Sequence, residues 1–199
     1  DGLMTGIFLD QHEVRDGLVN GLALGKSVLN MFSYTAAFSV AAAMGGAVET
    51  TSVDLAKRSR ELSTAHFEAN GFSMDNHRLV VMDVFDYFKY AKKKGLSYDL
   101  IVIDPPSFAR NKKRTFSANK DYHKLIAQSL DILSENGTII ASTNAANMTV
   151  QQFKKQLRKG LGDVSADFVN LQQLPADFTV NPNDPTSNYL KVYTIRVNK

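Results

Sequence analysis

Apolar residues recur along this chain in two alternating patterns: short continuous runs, and longer stretches in which every third or fourth position is apolar. The runs read as strands buried on both faces, and the stretches as helices packed on them by one side. Val28 to Phe32 is the first predicted strand, followed by an alanine-rich helix from Ser33 to Met44 that Gly45-Gly46 closes. Thr50 to Asp54 is the second, followed by a helix from Leu55 to Ala69 that ends at Asn70-Gly71. His77 to Met82 is the third, with Asp83 at its end and an amphipathic helix over Phe85, Phe88 and Tyr90 beyond it. Tyr98 to Ile103 is the fourth.

Tyr122, Leu125, Ile126, Ser129, Leu130 and Leu133 then recur at helical spacing, and Asn136-Gly137 turns the chain into a fifth strand, Thr138 to Ser142. Thr149 with Gln152 has the form of a capping box, opening a helix with Val150, Phe153 and Leu157 on one face. Asp167 to Leu171 and Tyr189 to Val197 complete the strands, separated by a surface loop rich in Pro and Asn, Pro175 to Asn188. Residues 1–25 stand outside the alternation, with Gly6 to Asp10 expected as a short strand and Glu13 to Leu24 as a helix against the sheet. Strands alternating with helices predict a mostly parallel sheet covered by helices, an α/β architecture.

A length of 199 residues with 44% hydrophobic content suits one domain. Because the chain opens on Asp1, it is expected to be a piece of something longer. No run reaches the roughly 18 apolar residues of a membrane span, which favours a soluble cytoplasmic protein with no membrane partner. The absence of cysteine excludes disulfides, thiolate metal sites and a cysteine nucleophile, and His12, His66, His77 and His123 have no metal-ligand spacing. The net charge of +3 is mild. Its basic residues nevertheless cluster at Lys89 to Lys94, at Arg110, Lys112, Lys113 and Arg114, and at Lys154 to Lys159, a distribution that suits a polyanion.

The candidate chemistry lies where strands end. Asp104-Pro105-Pro106-Ser107-Phe108 follows the run Leu100 to Ile103, and two prolines stop ladder bonding and hold an acid, carbonyls and an aromatic ring at the carboxyl end of a strand. Asp54, about 20 residues past the first strand-to-helix turn, stands where nucleotide-binding α/β domains hold ribose hydroxyls. The first turn, Phe32 to Phe38, lacks the glycines that a pyrophosphate needs, so a cofactor without phosphate, S-adenosylmethionine, fits better. Asp83 would meet the adenine amino group, with Val84 and Phe85 against the ring.

These segments resemble the class I S-adenosylmethionine-dependent methyltransferases. More closely they resemble the bacterial 23S rRNA methyltransferases that carry a PUA-like RNA-binding domain ahead of the catalytic one. The resemblance rests on Thr5-Gly6-Ile7-Phe8-Leu9-Asp10-Gln11, Leu29 to Thr35, Ser52-Val53-Asp54, Asp83-Val84-Phe85, Asp104 to Phe108 and Tyr189-Leu190-Lys191. It implies a Rossmann-like seven-stranded sheet with an antiparallel last strand, in a single domain over 1–199 with 1–25 packed on it. It also implies a cofactor set of Gln11, Phe32, Ser33, Tyr34, Thr35, Asp54, Leu55, Asp83, Val84, Phe85 and Asp104.

Asp104, Pro105, Pro106 and Phe108 would then form the catalytic group, and Arg110, Lys112, Lys113, Arg114 and Tyr122 the RNA contacts, Phe108 or Tyr122 stacking on the base. No metal is implied, and a homodimer is compatible.

Two features depart from the family's pattern. Ala36-Ala37 stands where a glycine is usual, which would narrow the room for cofactor. Asn144 stands in the stretch where the branch that methylates carbon-5 of cytosine has a cysteine. A chain without cysteine cannot activate that carbon by covalent attack, so a base nitrogen is the expected target. Other readings stay open: a DNA or protein-glutamine methyltransferase, a nucleotide-dependent oxidoreductase, or an RNA-binding module that keeps the fold without activity.

Overall fold

A computed structural model describes residues 6–111 and 114–199. Thr5, Lys112 and Lys113 lie outside the described residues. The first four strands are β1 (Ser27–Met31), β2 (Glu49–Asp54), β3 (His77–Val81) and β4 (Tyr98–Ile103). Helices α2 (Ala37–Met44), α3 (Lys57–Ala69) and α4 (Val84–Lys94) connect them. A two-stranded hairpin, β5 (Phe108–Arg110) and β6 (Thr115–Ser117), precedes α5 (Ala118–Leu130), β7 (Leu133–Thr143), α6 (Val150–Leu161), β8 (Ser165–Gln172) and β9 (Lys191–Asn198).

The main sheet has seven strands in the order β3-β2-β1-β4-β7-β9-β8. β1, β2, β3, β4 and β7 are parallel, and the last strand of the chain, β9, runs antiparallel between β7 and β8. This is the expected Rossmann-like sheet. Its order reverses between β1 and β4, and the crevice beyond their carboxyl ends is where open α/β sheets bind ligands.

Both faces of the sheet are covered, as the continuous apolar runs require. Along β4, Leu100 and Val102 pack with Phe38, Ala41 and Ala42 of α2. Ile101 and Ile103 point the other way, into Phe88 of α4, Leu125 of α5 and Phe153 of α6. Each such buried side chain contributes roughly 1.5–3 kcal/mol. The Thr149 capping box forms at both bonds, with Gln152 N donating to Thr149 Oγ1 at 3.2 Å and Thr149 N to Gln152 Oε1 at 2.8 Å.

Four local expectations are corrected. Gly6 to Asp10 is a bend leading into a 3-10 turn, Leu9–Gln11, because the segment finds no sheet edge to pair with. The helix expected over Glu13 to Leu24 is a short α1 (His12–Gly17) followed by a π-type turn, Leu18–Leu22, that breaks at Gly21 with φ 112°. α2 starts at Ala37 rather than Ser33, since Phe32 to Ala36 is taken up by a tight turn. Asn136-Gly137 lies within β7, in a bulge between the pairings Tyr98↔Leu133 and Leu100↔Thr138, with Asn136 at φ 54°.

Candidate active site

The turn after β1 puts Phe32 at φ 59°, Tyr34 at φ 50° and Ala36 at φ 61°, three non-glycine residues in the left-handed region. Each costs on the order of 1 kcal/mol or more, so the surroundings must over-determine the turn. They do so through hydrogen bonds. Ser33 N donates to Val53 O at 3.0 Å, Ala36 N to Ser33 O at 2.7 Å and Thr35 Oγ1 to Gly6 O at 2.5 Å. Tyr34 N donates to Asp54 Oδ2 at 2.9 Å, and the Tyr34 ring leans on Phe8 at 5.8 Å. The N–H groups of Ser33, Tyr34 and Ala36 are thus spent inside the turn. The Ala36 methyl group packs with Val40, Ala43 and Phe67, away from the crevice, whereas Ala37 lines the cavity.

Asp54 Oδ1 also accepts from Ala56 N at 2.8 Å, which leaves further lone pairs on both oxygens for ribose hydroxyls. Asp83 caps α4 by accepting from Phe85 N at 3.0 Å and Asp86 N at 3.3 Å, and it accepts from Asn111 Nδ2 at 2.8 Å. The cap is thus present, and the second oxygen keeps spare acceptor capacity toward the crevice.

The hairpin folds over this end. Arg114 Nη2 lies 3.0 Å from Asp86 Oδ1, Nε lies 3.6 Å from Asp83 Oδ1, and the guanidinium sits 4.7 Å over the Phe85 ring. Phe116 is buried between Phe85 and Phe32, each 6.2 Å away. Arg114 was expected on RNA phosphates. It is instead committed to the acids and ring at the mouth of α4, an arrangement that carboxylate and aromatic partners favour.

Asp104 Oδ2 accepts from Gln11 Nε2 at 2.9 Å, and Gln11 Oε1 accepts from Ser142 Oγ at 3.3 Å. Burial pushes the Asp104 carboxyl up to about 6, assisted by the charge of Asp10 and opposed by hydrogen bonds from Ser142 and Gln11. Beyond it, Ser107 Oγ donates to Asn144 Oδ1 at 2.7 Å, and Phe108 is 62% exposed.

Tyr122 is corrected: it is fully buried, edge-to-face with Phe153 at 4.8 Å, its hydroxyl 2.8 Å from both Ile103 O and Ser142 O. It braces the ends of β4 and β7 from below and has no face free for a base. Arg110 is exposed at the margin of the crevice. The third basic cluster packs on β8, with Lys154 and Arg158 over the Phe168 ring.

These elements enclose a cavity of about 370 Å³, within the usual size of a small-molecule site. All residues assigned to the cofactor line it: Gln11, Phe32 to Thr35, Asp54, Leu55, Asp83 to Phe85 and Asp104. Pro105 and Pro106 line it too, as do Arg15, Asn111, Phe116 and Asn144, which were not assigned to it from sequence. Phe116 arrives on a strand too short to leave a periodic signal, Asn111 just past the end of β5, and Arg15 on a helix of six residues. The residues present fit S-adenosylmethionine: acceptors at Asp54 and Asp83 and an apolar wall at Phe85. Among the described residues no cluster of metal-ligating side chains occurs, and no helix is long and apolar enough to cross a membrane.

Comparison with known proteins agrees. A Bacillus subtilis protein named as a candidate ribosomal RNA large subunit methyltransferase, YwbD, is 48% identical over 98% of this chain and 50% of its own. Ribosomal RNA large subunit methyltransferase K of Neisseria meningitidis is 36% identical over 88% of this chain and 48% of its own. A crystal structure of SMU.776, a candidate methyltransferase complexed with SAH, superimposes with TM-score 0.96 at 72% identity, covering 99% of this chain and 52% of that one. The chain therefore spans about half the length of the curated relatives it matches. Residues 2–193 match the family model for S-adenosylmethionine-dependent methyltransferases, and the chain belongs to that family.

Proposed function

We propose that this domain methylates a nitrogen atom of a base in ribosomal RNA of the large subunit. The names of its relatives support the RNA substrate. The observation that carries the choice of nitrogen is the complete absence of cysteine, with Asn144 beside the Asp104 turn and hydrogen-bonded to Ser107. Carbon-5 of a pyrimidine needs covalent activation, whereas a nitrogen has or develops its own lone pair and needs chiefly to be aligned.

S-adenosylmethionine supplies, when bound, an activated methyl group on a positively charged sulfur. Asp54 holds the ribose and Asp83 with Phe85 the adenine. Asp104 Oδ accepts an N–H of the base, orients its lone pair, and takes up the proton as the nitrogen is alkylated. The carbonyl of Pro105 offers a second acceptor. Phe108, mostly exposed at the start of the hairpin, stacks on the base, and Arg110 meets a flanking phosphate. Lys112 and Lys113, next in the chain, belong to the same basic segment. An rRNA substrate implies a cytoplasmic setting. The domain reads as one unit over 1–199, supported by Val14 and Leu18 of the N-terminal segment packing with Val28 and Leu100.

Nucleoside mass spectrometry of rRNA, from cells with and without the full-length protein, tests this reading. Loss of an N-methylated nucleoside on deletion is the expected result. Loss of 5-methylcytidine would overturn the choice of nitrogen, and unchanged rRNA would overturn the substrate.

A further inference from the structure

The 3-10 turn Leu9–Gln11 stands outside the alternating core, yet its last residue reaches the substrate side of the cavity. Gln11 is 4% exposed, and both ends of its amide are engaged. Nε2 donates to Asp104 Oδ2 at 2.9 Å while Oε1 accepts from Ser142 Oγ at 3.3 Å. This fixes the amide's orientation, because a flip would set its carbonyl oxygen against a carboxylate. The turn itself is anchored, with the Tyr189 hydroxyl donating to Asp10 Oδ2 at 3.0 Å and Arg15 Nη1 to Phe8 O at 2.7 Å.

We propose that Gln11 is a positioning residue for the reaction: it holds the Asp104 carboxylate in one rotamer and in its ionised form, acting through Asp104 rather than on the methyl donor. The inference rests on the reading of Asp104 as the group that receives the base N–H. The groups facing Asp104 are Asp10 from the same turn, Ser142 from β7 and the Tyr122 hydroxyl from α5, with Arg15 lining the same cavity. Asp10 works against ionisation. The Tyr122 hydrogen is occupied by the carbonyls of Ile103 and Ser142, so it gives Asp104 no help. The Gln11 N–H and Ser142 are the donors that oppose burial, and Ser142 has a single hydrogen to divide between Gln11 and Asp104.

Gln11→Met removes the donor at similar length, and Gln11→Glu replaces it with a second acid. In the full-length protein labelled with carboxyl-13C aspartate, the Asp104 resonance is identified by its loss in Asp104→Asn and followed against pH. The midpoint is expected to rise by about one pH unit in Gln11→Met, the worth of one hydrogen bond to a charged group. It should rise further in Gln11→Glu, where like charges face each other.

Turnover of Gln11→Met should recover toward wild type as pH rises. An unchanged midpoint in Gln11→Met overturns the proposal, as does a turnover that stays low at high pH. The titration needs neither RNA nor turnover. A wild-type protein that leaves rRNA unmethylated would therefore overturn the proposed function while the titration still decides the role of Gln11.

Discussion

The backbone N–H of Tyr34 donates to Oδ2 of Asp54 at 2.9 Å, so the acid that ends β2 also braces the strained turn that ends β1. In the proposed function one side chain thereby serves as ribose acceptor and as scaffold. Asp54→Ala is expected to weaken S-adenosylmethionine binding about tenfold to a hundredfold, the worth of one charged hydrogen bond, and to lower Tm. Asp54→Asn keeps an acceptor for Tyr34 and should recover part of the Tm. Calorimetry and thermal melts read the two effects separately, and equal cofactor affinity for wild type and Asp54→Ala would contradict the ribose assignment.

Asp104 leads to a pH dependence in two observables. Turnover should fall as pH drops through about 6, where its carboxyl takes up a proton and ceases to accept the base N–H. Stability runs the opposite way. The folded pKa lies above the unfolded value of 3.8, so the ionised form costs stability above about pH 6, and the cost vanishes once pH falls below the unfolded value. Asp104→Asn should accordingly stabilise the protein by about 1–3 kcal/mol at pH 8 and by almost nothing near pH 3, measured by urea melts. Asp104→Ala should abolish turnover.

Arg114 ties the hairpin to α4 through Asp83, Asp86 and the face of Phe85. The guanidinium is 29% exposed, so its ion pairs are partly screened, and Arg114→Leu should cost about 1 kcal/mol of global stability. Hydrogen exchange of the Ala109 and Phe116 amides should quicken, and cofactor affinity should fall several-fold as the wall over Phe85 loosens. Protection equal to wild type at those amides would show that Arg114 is not what holds the hairpin.

Phe108 and Arg110 offer the sharpest separation of RNA binding from folding. Both are exposed, so alanine at either should change stability by no more than about 0.5 kcal/mol. Phe108→Ala should weaken RNA binding by the roughly 1–3 kcal/mol of one base–aromatic stack. Arg110→Ala should lower the salt dependence of RNA affinity by about one phosphate contact. Fluorescence anisotropy with an rRNA fragment across a salt series measures both. An unchanged salt slope would remove Arg110 from the interface.

Much of this architecture was legible from residue pattern. Continuous runs such as Leu100 to Ile103 can be buried only between two layers of helices, and an acid closing each of three such runs marks the crevice side of the sheet. The Thr149 capping box and the Pro175 to Asn188 loop were readable because they rest on local chemistry. The hairpin was not readable: its strands are three residues each, too short for any period, and Arg114 looked like a free cation beside other cations. Tyr122 misled for a related reason. A tyrosine near a substrate turn looks the same in sequence whether its ring faces the crevice or its hydroxyl satisfies buried carbonyls below it.

By itself the sequence determined the layered sheet, the three strand-ending acids and the absence of cysteine from this chain, because those follow from periodicity and residue type. Tertiary structure decided how the acids are used. It bent a glycine-free turn into the left-handed region and held it there with Asp54, turned the Ala36 methyl group into the core, and drew Arg114 onto Phe85. It also brought Gln11 against Asp104, two residues 93 positions apart. Contacts of that kind depend on where the chain returns in space, and no local spacing records them.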